Sequence, residues 1–421
     1  MKETFKKIII KVLWLQVRRL QKKHTPIVIA VAGSVGKTGT KTAIATVLSR
    51  HMSVAWQKGN YNDIISVPLI FFNQKMPNIY NVAAWIKILI VAEYHIQTTY
   101  AFEAVVLEVG TDYRGNMELF KQHLHADYGV LTAISEEHME NFKDIDDVAE
   151  EELLIDKMSD TVIASADAVD KKYIKQIDPL TYGEGPNDCR ITIKSLTKNF
   201  KRTVIFTTKD DQAYKIQTSL IGKQNIPALA AAVLLASKLE LTEKEIIAGL
   251  ESITQLPGRM QLLKGEKGSL IIDDTYNAAP DAVISALDTL YEASAKQKIA
   301  ILGQMNELGS FSETAHRRIG KHCNPKELSV VITIGPDANT FIAEEAEKRG
   351  CKVMRCPSPY HSADVARQFI SVGTLVLVKG SQNQVFAEEA VKQLLDNPED
   401  SNKLVRQSKS WLRIKNEQFQ R

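Results

Sequence analysis

The feature that most constrains this chain is a glycine turn set between an apolar run and a helical stretch. Pro26–Ala32 (PIVIAVA) is continuous and of strand length, Gly33-Ser34-Val35-Gly36-Lys37-Thr38 follows at once, and Thr38–Arg50 carries helical patterning. A continuous apolar run suits a strand buried on both faces, and hence a parallel sheet. In such a turn the glycines let backbone N–H groups point inward, and the helix N-terminus adds positive potential. Lys37 contributes a mobile charge, and Thr38 offers a hydroxyl to Mg²⁺. The full phosphate-loop pattern puts glycine at position 31, where this chain has Val31. The motif is a shortened form, and its strand–turn–helix setting predicts phosphate binding.

Ala104–Val109 and Tyr128–Ile134 read as further buried strands, with a helix over Ala83–Tyr94 between the first strand and these. Strand and helix in alternation are the mark of an α/β fold. From Thr161 to about Leu220 the texture changes. RITIKSL, RTVIFTT and AYKIQTSL are short alternating strands that suggest a small antiparallel patch. Helices are expected over Pro227–Leu239 and Thr242–Ser252, the second opened by Thr242 with Glu245 three residues on. A boundary is expected near Leu256-Pro257-Gly258. Beyond it, Leu270–Asp273, Ile299–Leu302, Ser329–Ile334 and Thr374–Val378 read as strands alternating with helices, one of them Asp337–Arg349 stopping at Gly350. The expected layout is a basic amphipathic leader (1–25), a phosphate-loop domain with a parallel sheet (26–256), and a Rossmann-like domain with a basic tail (257–421).

At 421 residues, with 44% apolar and 24% charged residues, the composition is that of a soluble globular protein of two domains. The net charge of +3 hides an asymmetry: eight Lys or Arg against Glu3 give residues 1–24 a charge of +7, leaving −4 for the rest. That balance excludes general nucleic-acid binding. The leader has two readings. It either contacts an anionic membrane surface as an interfacial helix or packs on the first domain with its charges exposed. Four cysteines without a CxxC pair fit a reducing compartment and no zinc ribbon. The apolar runs Ile8–Val17 and Val82–Ala92 are too short to span a bilayer. The expected location is cytoplasmic, with peripheral contact at the inner membrane face under the first of the leader's two readings.

Two residues point back to the glycine turn. Glu108 ends one predicted strand, and His138 follows the end of another. Loops after strand C-termini form the ligand crevice of an open α/β sheet, so Lys37, Thr38, Glu108 and His138 are expected to converge. A carboxylate, a hydroxyl and phosphate oxygens suit Mg²⁺, and imidazole suits a second metal.

At this point the residues resemble a known family. GSVGKT, LEVGTDYRGNM (107–117), ISEEHMENF (134–142), PGRM (257–260), DDTYNAAPDA (273–282), LGQMNELG (302–309) and VKGS (378–381) are similar, in order, to the Mur ligases. Tyr276-Asn277 and the LGQMNELG string suggest the MurF branch, which adds D-alanyl-D-alanine to a UDP-muramoyl tripeptide. The resemblance covers residues 26 to 395. It implies an ATP-dependent carboxylate–amine ligase of peptidoglycan precursor synthesis, with ATP and Mg²⁺ as cofactors and a muramoyl peptide and D-Ala-D-Ala as small-molecule partners.

Residue by residue, the resemblance gives Lys37, Glu108, His138 and Arg259 catalytic roles. Gly33, Ser34, Val35, Gly36, Lys37 and Thr38 would hold the phosphates, and Asn225, Arg259, Asp274 and Asn277 the remainder of the nucleotide. Thr38, Glu108 and His138 would bind metal, and Lys379 and Ser381 would face the amine substrate. His316 also matches a family histidine. Three departures matter. About thirty residues precede the phosphate loop, so the family's uridine-nucleotide-binding domain is expected to be missing. The family's carbamylated lysine corresponds to Glu152, a carboxylate suited to serve as an oxygen ligand to metal. A family His-Asn pair reads Gln224-Asn225. Two rival readings are a phosphate-loop ATPase without ligation and a non-catalytic nucleotide-binding relative.

Overall fold

The computed structural model describes residues 2–57, 61–137 and 139–420. The chain forms two compact units. The first runs to Ile193 and takes in Val204–Gln217 and Asn225–Ile253; the second comprises Lys194–Thr203, Thr218–Gln224 and the chain from Thr254 onward.

Among the described residues the first unit is built on a nine-stranded sheet. Its strands are β1 (Ile27–Ala32), β2 (Val54–Ala55), β3 (Ala104–Glu108), β4 (Ala126–Leu131), β5 (Ser159–Ser165), β6 (Leu180–Gly183), β7 (Cys189–Ile193), β8 (Arg202–Thr208) and β9 (Ala213–Thr218). They lie in the order β2-β3-β1-β4-β5-β6-β7-β8-β9. Neighbours are parallel as far as β7, and β7 meets β8 antiparallel. The apolar run at 26–32 therefore holds a central place, Val31 level with Glu108 on one side and Val130 on the other. Every β1 residue from Val28 on is buried, which is why the run carries no alternation. The expected strand Tyr128–Ile134 ends at Leu131 instead. Thr132 N still donates to Ala32 O (3.0 Å), while its hydroxyl reaches Ala32 O (3.0 Å) and Val35 O (2.6 Å) at the glycine turn.

The helices follow their local signals. Helix Lys37–Leu48 starts after Gly36 in the left-handed region (φ 92°). Asn81 caps helix Val82–Gln97 by accepting from Ala84 N at 3.0 Å. Thr242 and Glu245 close a reciprocal capping box on helix Glu243–Glu251. Helix Lys2–His24 packs on the first unit, with Leu13, Trp14, Val17 and Leu20 buried. Trp14 Nε1 donates to Ile64 O at 2.8 Å. Of the two readings of the leader, the packed one describes its inner face.

The second unit has a six-stranded sheet among the described residues: β10 (Gln261–Gly265), β11 (Ser269–Asp274), β12 (Gln297–Gly303), β13 (Val330–Ile334), β14 (Val353–Cys356) and β15 (Thr374–Lys379). The order is β10-β11-β15-β12-β13-β14, parallel except for β10. The helix expected at 337–349 is a π turn, Ala338–Ile342, continuing as helix Ala343–Lys348 before Gly350 at φ 91°.

Candidate active site

In the first unit the glycine turn is fixed from three directions. Gly33 has φ 120°, and a Cβ there would lie 2.4 Å from Thr132 Oγ1 and 2.8 Å from Ala133 N. No other residue fits that approach. Ser34 N donates to Ala133 O (2.9 Å), and Ser34 Oγ accepts from Ser135 N (3.0 Å), tying the turn to the segment after β4. Gly33 N donates to the buried carboxylate of Glu152 at 2.7 Å. Lys37 Nζ bends back over the turn, donating to Gly33 O (2.5 Å) and Ser34 O (3.1 Å).

Glu108, at the C-terminal tip of β3, accepts from Thr38 Oγ1 at 3.2 Å on one oxygen and pairs with Lys41 Nζ at 3.0 Å on the other. Lys41 and Glu108 are both buried. Lys41 was not singled out in the sequence. The available signal was its spacing: four residues beyond Lys37, it lies on the same helix face.

Electrostatics bind these groups together. Burial alone would lower the Lys37 pKa, but Glu137, Glu152, Glu108 and Asp112 outweigh it and the pKa is raised. Glu152 is pushed up to about 7 by burial, against the pull of Lys37 and the Gly33 N–H. Glu137 and Asp112 are thus further acids around Lys37, and they sit in the two motif loops that carry His138 and Arg114. Next to Glu152, Glu151 accepts from Gly115 N (2.5 Å) and Met117 N (3.0 Å), holding the loop after β3. Arg114 in that loop bonds Asp147 and, at 2.7 Å, Glu150. The sequence-predicted Gly33, Ser34, Val35, Gly36, Lys37, Thr38, Glu108 and Glu152 therefore meet in one place. His138 lies outside the described residues. Asn225 takes the N-cap position of helix Ile226–Lys238, which packs on the phosphate-loop helix.

The second unit gathers the remaining predicted residues at the C-terminal ends of β11 and β15. Asp274 accepts from Met260 N (3.0 Å) and pairs with Lys379 Nζ (2.6 Å), which also donates to Asn277 O (2.9 Å). The Lys379 ammonium is buried and committed to these two oxygens, so it orders the DDTYN turn. The Arg259 guanidinium stacks over the Tyr276 ring, 4.1 Å from its centroid. Ser381 Oγ accepts from Asn306 N (2.9 Å). His316, fully buried, accepts from Met305 N at Nε2 (2.9 Å) and reaches Ser312 O at Nδ1 (2.7 Å). Those partners assign the neutral tautomer with hydrogen on Nδ1, and burial lowers its pKa accordingly. Ser381 and His316 thus pin the LGQMNELG loop from two sides.

A contact that no motif announced comes from Arg406. Its guanidinium donates to Thr275 O (2.5 Å) and Tyr276 O (3.0 Å) while pairing with Glu388 (2.7 Å). Lys415 joins the same cluster through Glu388 (2.8 Å) and Glu389 (2.6 Å).

With the geometry in place, the likenesses of the chain can be stated. Residues 31–236 match the family described as Mur ligase middle domain, and residues 258–382 that described as Mur ligase, glutamate ligase domain. The UDP-N-acetylmuramoyl-tripeptide--D-alanyl-D-alanine ligase of Bacillus subtilis (strain 168) is 29% identical over 379 residues, covering 88% of this chain and 76% of that one. The Escherichia coli (strain K12) protein of the same name is 22% identical over 385 residues, covering 88% and 77%. Among solved structures, the MurF ligase from Thermotoga maritima in complex with ADP shares the fold, with a TM-score of 0.75 at 23% identity, covering 93% of this chain and 84% of that one.

Proposed function

The chain belongs to the Mur ligase family of ATP-dependent ligases, and on that premise we propose that it joins the carboxylate of a UDP-muramoyl tripeptide to the amine of D-alanyl-D-alanine through an acyl phosphate. The relatives' names support the substrates, and the convergence of Lys37, Thr38, Glu108 and Glu152 on one glycine turn carries the chemistry. We place the reaction in the cytoplasm, a reading supported by four free cysteines.

The residues present fit a magnesium nucleotide. Gly36, at φ 92°, opens helix Lys37–Leu48 directly after the turn, and a helix N-terminus offers backbone N–H groups to a phosphate. The Thr38 hydroxyl and the Glu108 carboxylate, 3.2 Å apart, are hard oxygen donors of the kind Mg²⁺ takes. Glu152 supplies a third oxygen donor at the turn, in the role the family gives to a carbamylated lysine. When bound, magnesium and ATP supply the phosphoryl group that turns the acid into an acyl donor.

The chain's own residues do the positioning. Lys37 neutralises charge on the transferring phosphoryl group from its place above the turn. Lys41 holds one oxygen of Glu108 and so orients the other toward Thr38. In the second unit Arg259 and the Asp274–Lys379 pair fix the DDTYN turn, which carries Asn277. Lys379 acts here through Asp274 and the Asn277 carbonyl, and Ser381 through the loop at Asn306.

The deciding experiment is phosphate release from ATP with UDP-muramoyl tripeptide and D-Ala-D-Ala, each alone and together, with the amide product read by mass spectrometry. Release and product that require both substrates, and that vanish in Lys37→Ala, are expected. Release without the amine would mean an ATPase, and nucleotide binding without release a non-catalytic relative; either sinks the proposal.

A further inference from the structure

Helix Lys2–His24 and helix Val82–Gln97 lie side by side and run in the same direction. Gln16 Nε2 donates to Leu89 O (2.9 Å), Arg19 pairs with Glu93 (2.7 and 2.8 Å), and Lys23 Nζ donates to Gln97 O (3.3 Å), at separations of 73, 74 and 74 residues. That constant offset sets Ile8 level with Val82 and Leu15 level with Leu89. The inner faces are core: Leu13, Trp85 and Ile88 form one apolar cluster with Leu69.

The outer faces are not what a solvated helix pair shows. On the second helix Val82, Ile86, Ile90 and Tyr94 recur every fourth residue and are 50%, 53%, 64% and 65% exposed. On the first, Ile8 and Leu15 are 55% and 50% exposed and lie on the side turned toward that stripe. A single exposed apolar side chain is ordinary, but six on one surface mark an interaction site. Beside them the first helix carries an exposed row of Lys7, Lys11, Arg18 and Lys22 at helical spacing. Lys87 is exposed on the second helix, and Glu93 is paired with Arg19.

We infer that this two-helix face docks the protein on an anionic lipid bilayer, the apolar stripe entering the headgroup–acyl boundary and the cationic row resting on lipid phosphates. A protein partner is anchored by side chains seated in pockets. A bilayer accepts an apolar row standing at one level and rewards a cationic flank. Among the described residues no helix is long and apolar enough to cross a membrane, so this contact lies on the surface. The inference is independent of the ligase reading.

The test is flotation of the full chain with vesicles of phosphatidylcholine mixed with phosphatidylglycerol, and with phosphatidylcholine alone, at low and high salt. The parent is expected to float with the mixed vesicles and to be released by salt. Ile86→Glu with Ile90→Glu, and separately Lys11→Glu with Arg18→Glu, are each expected to cut the bound fraction about tenfold or more. All four side chains are exposed, so thermal unfolding and nucleotide binding should stay as in the parent. Deleting the first helix is no substitute, since its inner face is core. Absence of parent binding to mixed vesicles, or equal binding by the Ile86/Ile90 variant, overturns the inference. So does a parent dimer that this variant converts to monomer without any vesicle binding, which would make the occupant a second copy.

Discussion

Lys37 stands among four carboxylates, and its charge is held by them rather than by solvent. Replacing it with alanine is expected to lower substrate-dependent phosphate release by about 10²–10³-fold, the usual loss for a charge aimed at a transition state. Within the second unit, Asp273 offers a titration of its own. Burial pushes its carboxyl up to about 7 from an ordinary 3.8, against hydrogen bonds from Thr275 N (3.1 Å) and Thr275 Oγ1 (2.6 Å). A raised folded pKa means that its stabilising share is complete below the unfolded value and is lost as pH rises through about 7. In Asp273→Asn that loss is absent. The unfolding free energy of the variant relative to the parent should therefore climb by on the order of 4 kcal/mol from acid to neutral pH and level off above, as read by denaturant titration. The place of Glu108 at a strand tip beside the glycine turn was legible in the sequence. Lys41, its partner, was not: a lysine on a helix reads as surface until the fold shows that its neighbour is a buried carboxylate.

Elements explain why single glycines differ so sharply. Gly33 and Gly39 are six residues apart, yet a Cβ at Gly33 would strike Thr132 and Ala133, and one at Gly39 meets nothing within 4 Å. Gly33→Ala is expected to weaken nucleotide binding by about a hundredfold or more. Gly39→Ala, inside helix Lys37–Leu48, should raise stability by about 0.5–1 kcal/mol in thermal melts. At the other end of the chain, Arg406 and Glu388 are nearly inaccessible. Arg406→Met should cost about 3–5 kcal/mol, because Glu388 stays buried with half its compensation gone. Periodicity located the long apolar strands well. It missed β2, β5 (SDTVIAS) and β6 in the first sheet and the short β10 (QLLKG) and β14 (VMRC) in the second, and it ran β4 three residues too far. The Arg406 contact escaped for a different reason: it lies beyond the stretch where the motifs carry the resemblance.

For the whole molecule, the parallel sheets and the Mur ligase pattern were readable because buried strands and glycine turns leave strong local marks. The basic first helix was readable only in part. Its charges said surface, and Trp14 and Leu13 turn out to say core. Trp14→Ala should lower stability by about 3–5 kcal/mol in denaturant titrations. Least legible was the interleaving of the chain. Lys194–Thr203 and Thr218–Gln224 belong to the second compact unit although they precede its main body. Arg202, from the first of these, is fully buried and grips Glu292 with both terminal nitrogens (3.0 and 2.9 Å) while reaching Ile221 O (3.0 Å). A gene cut at residue 257 would thus deliver the later portion without its own cornerstone. Linear scissors cannot separate what the backbone has sewn together in several passes.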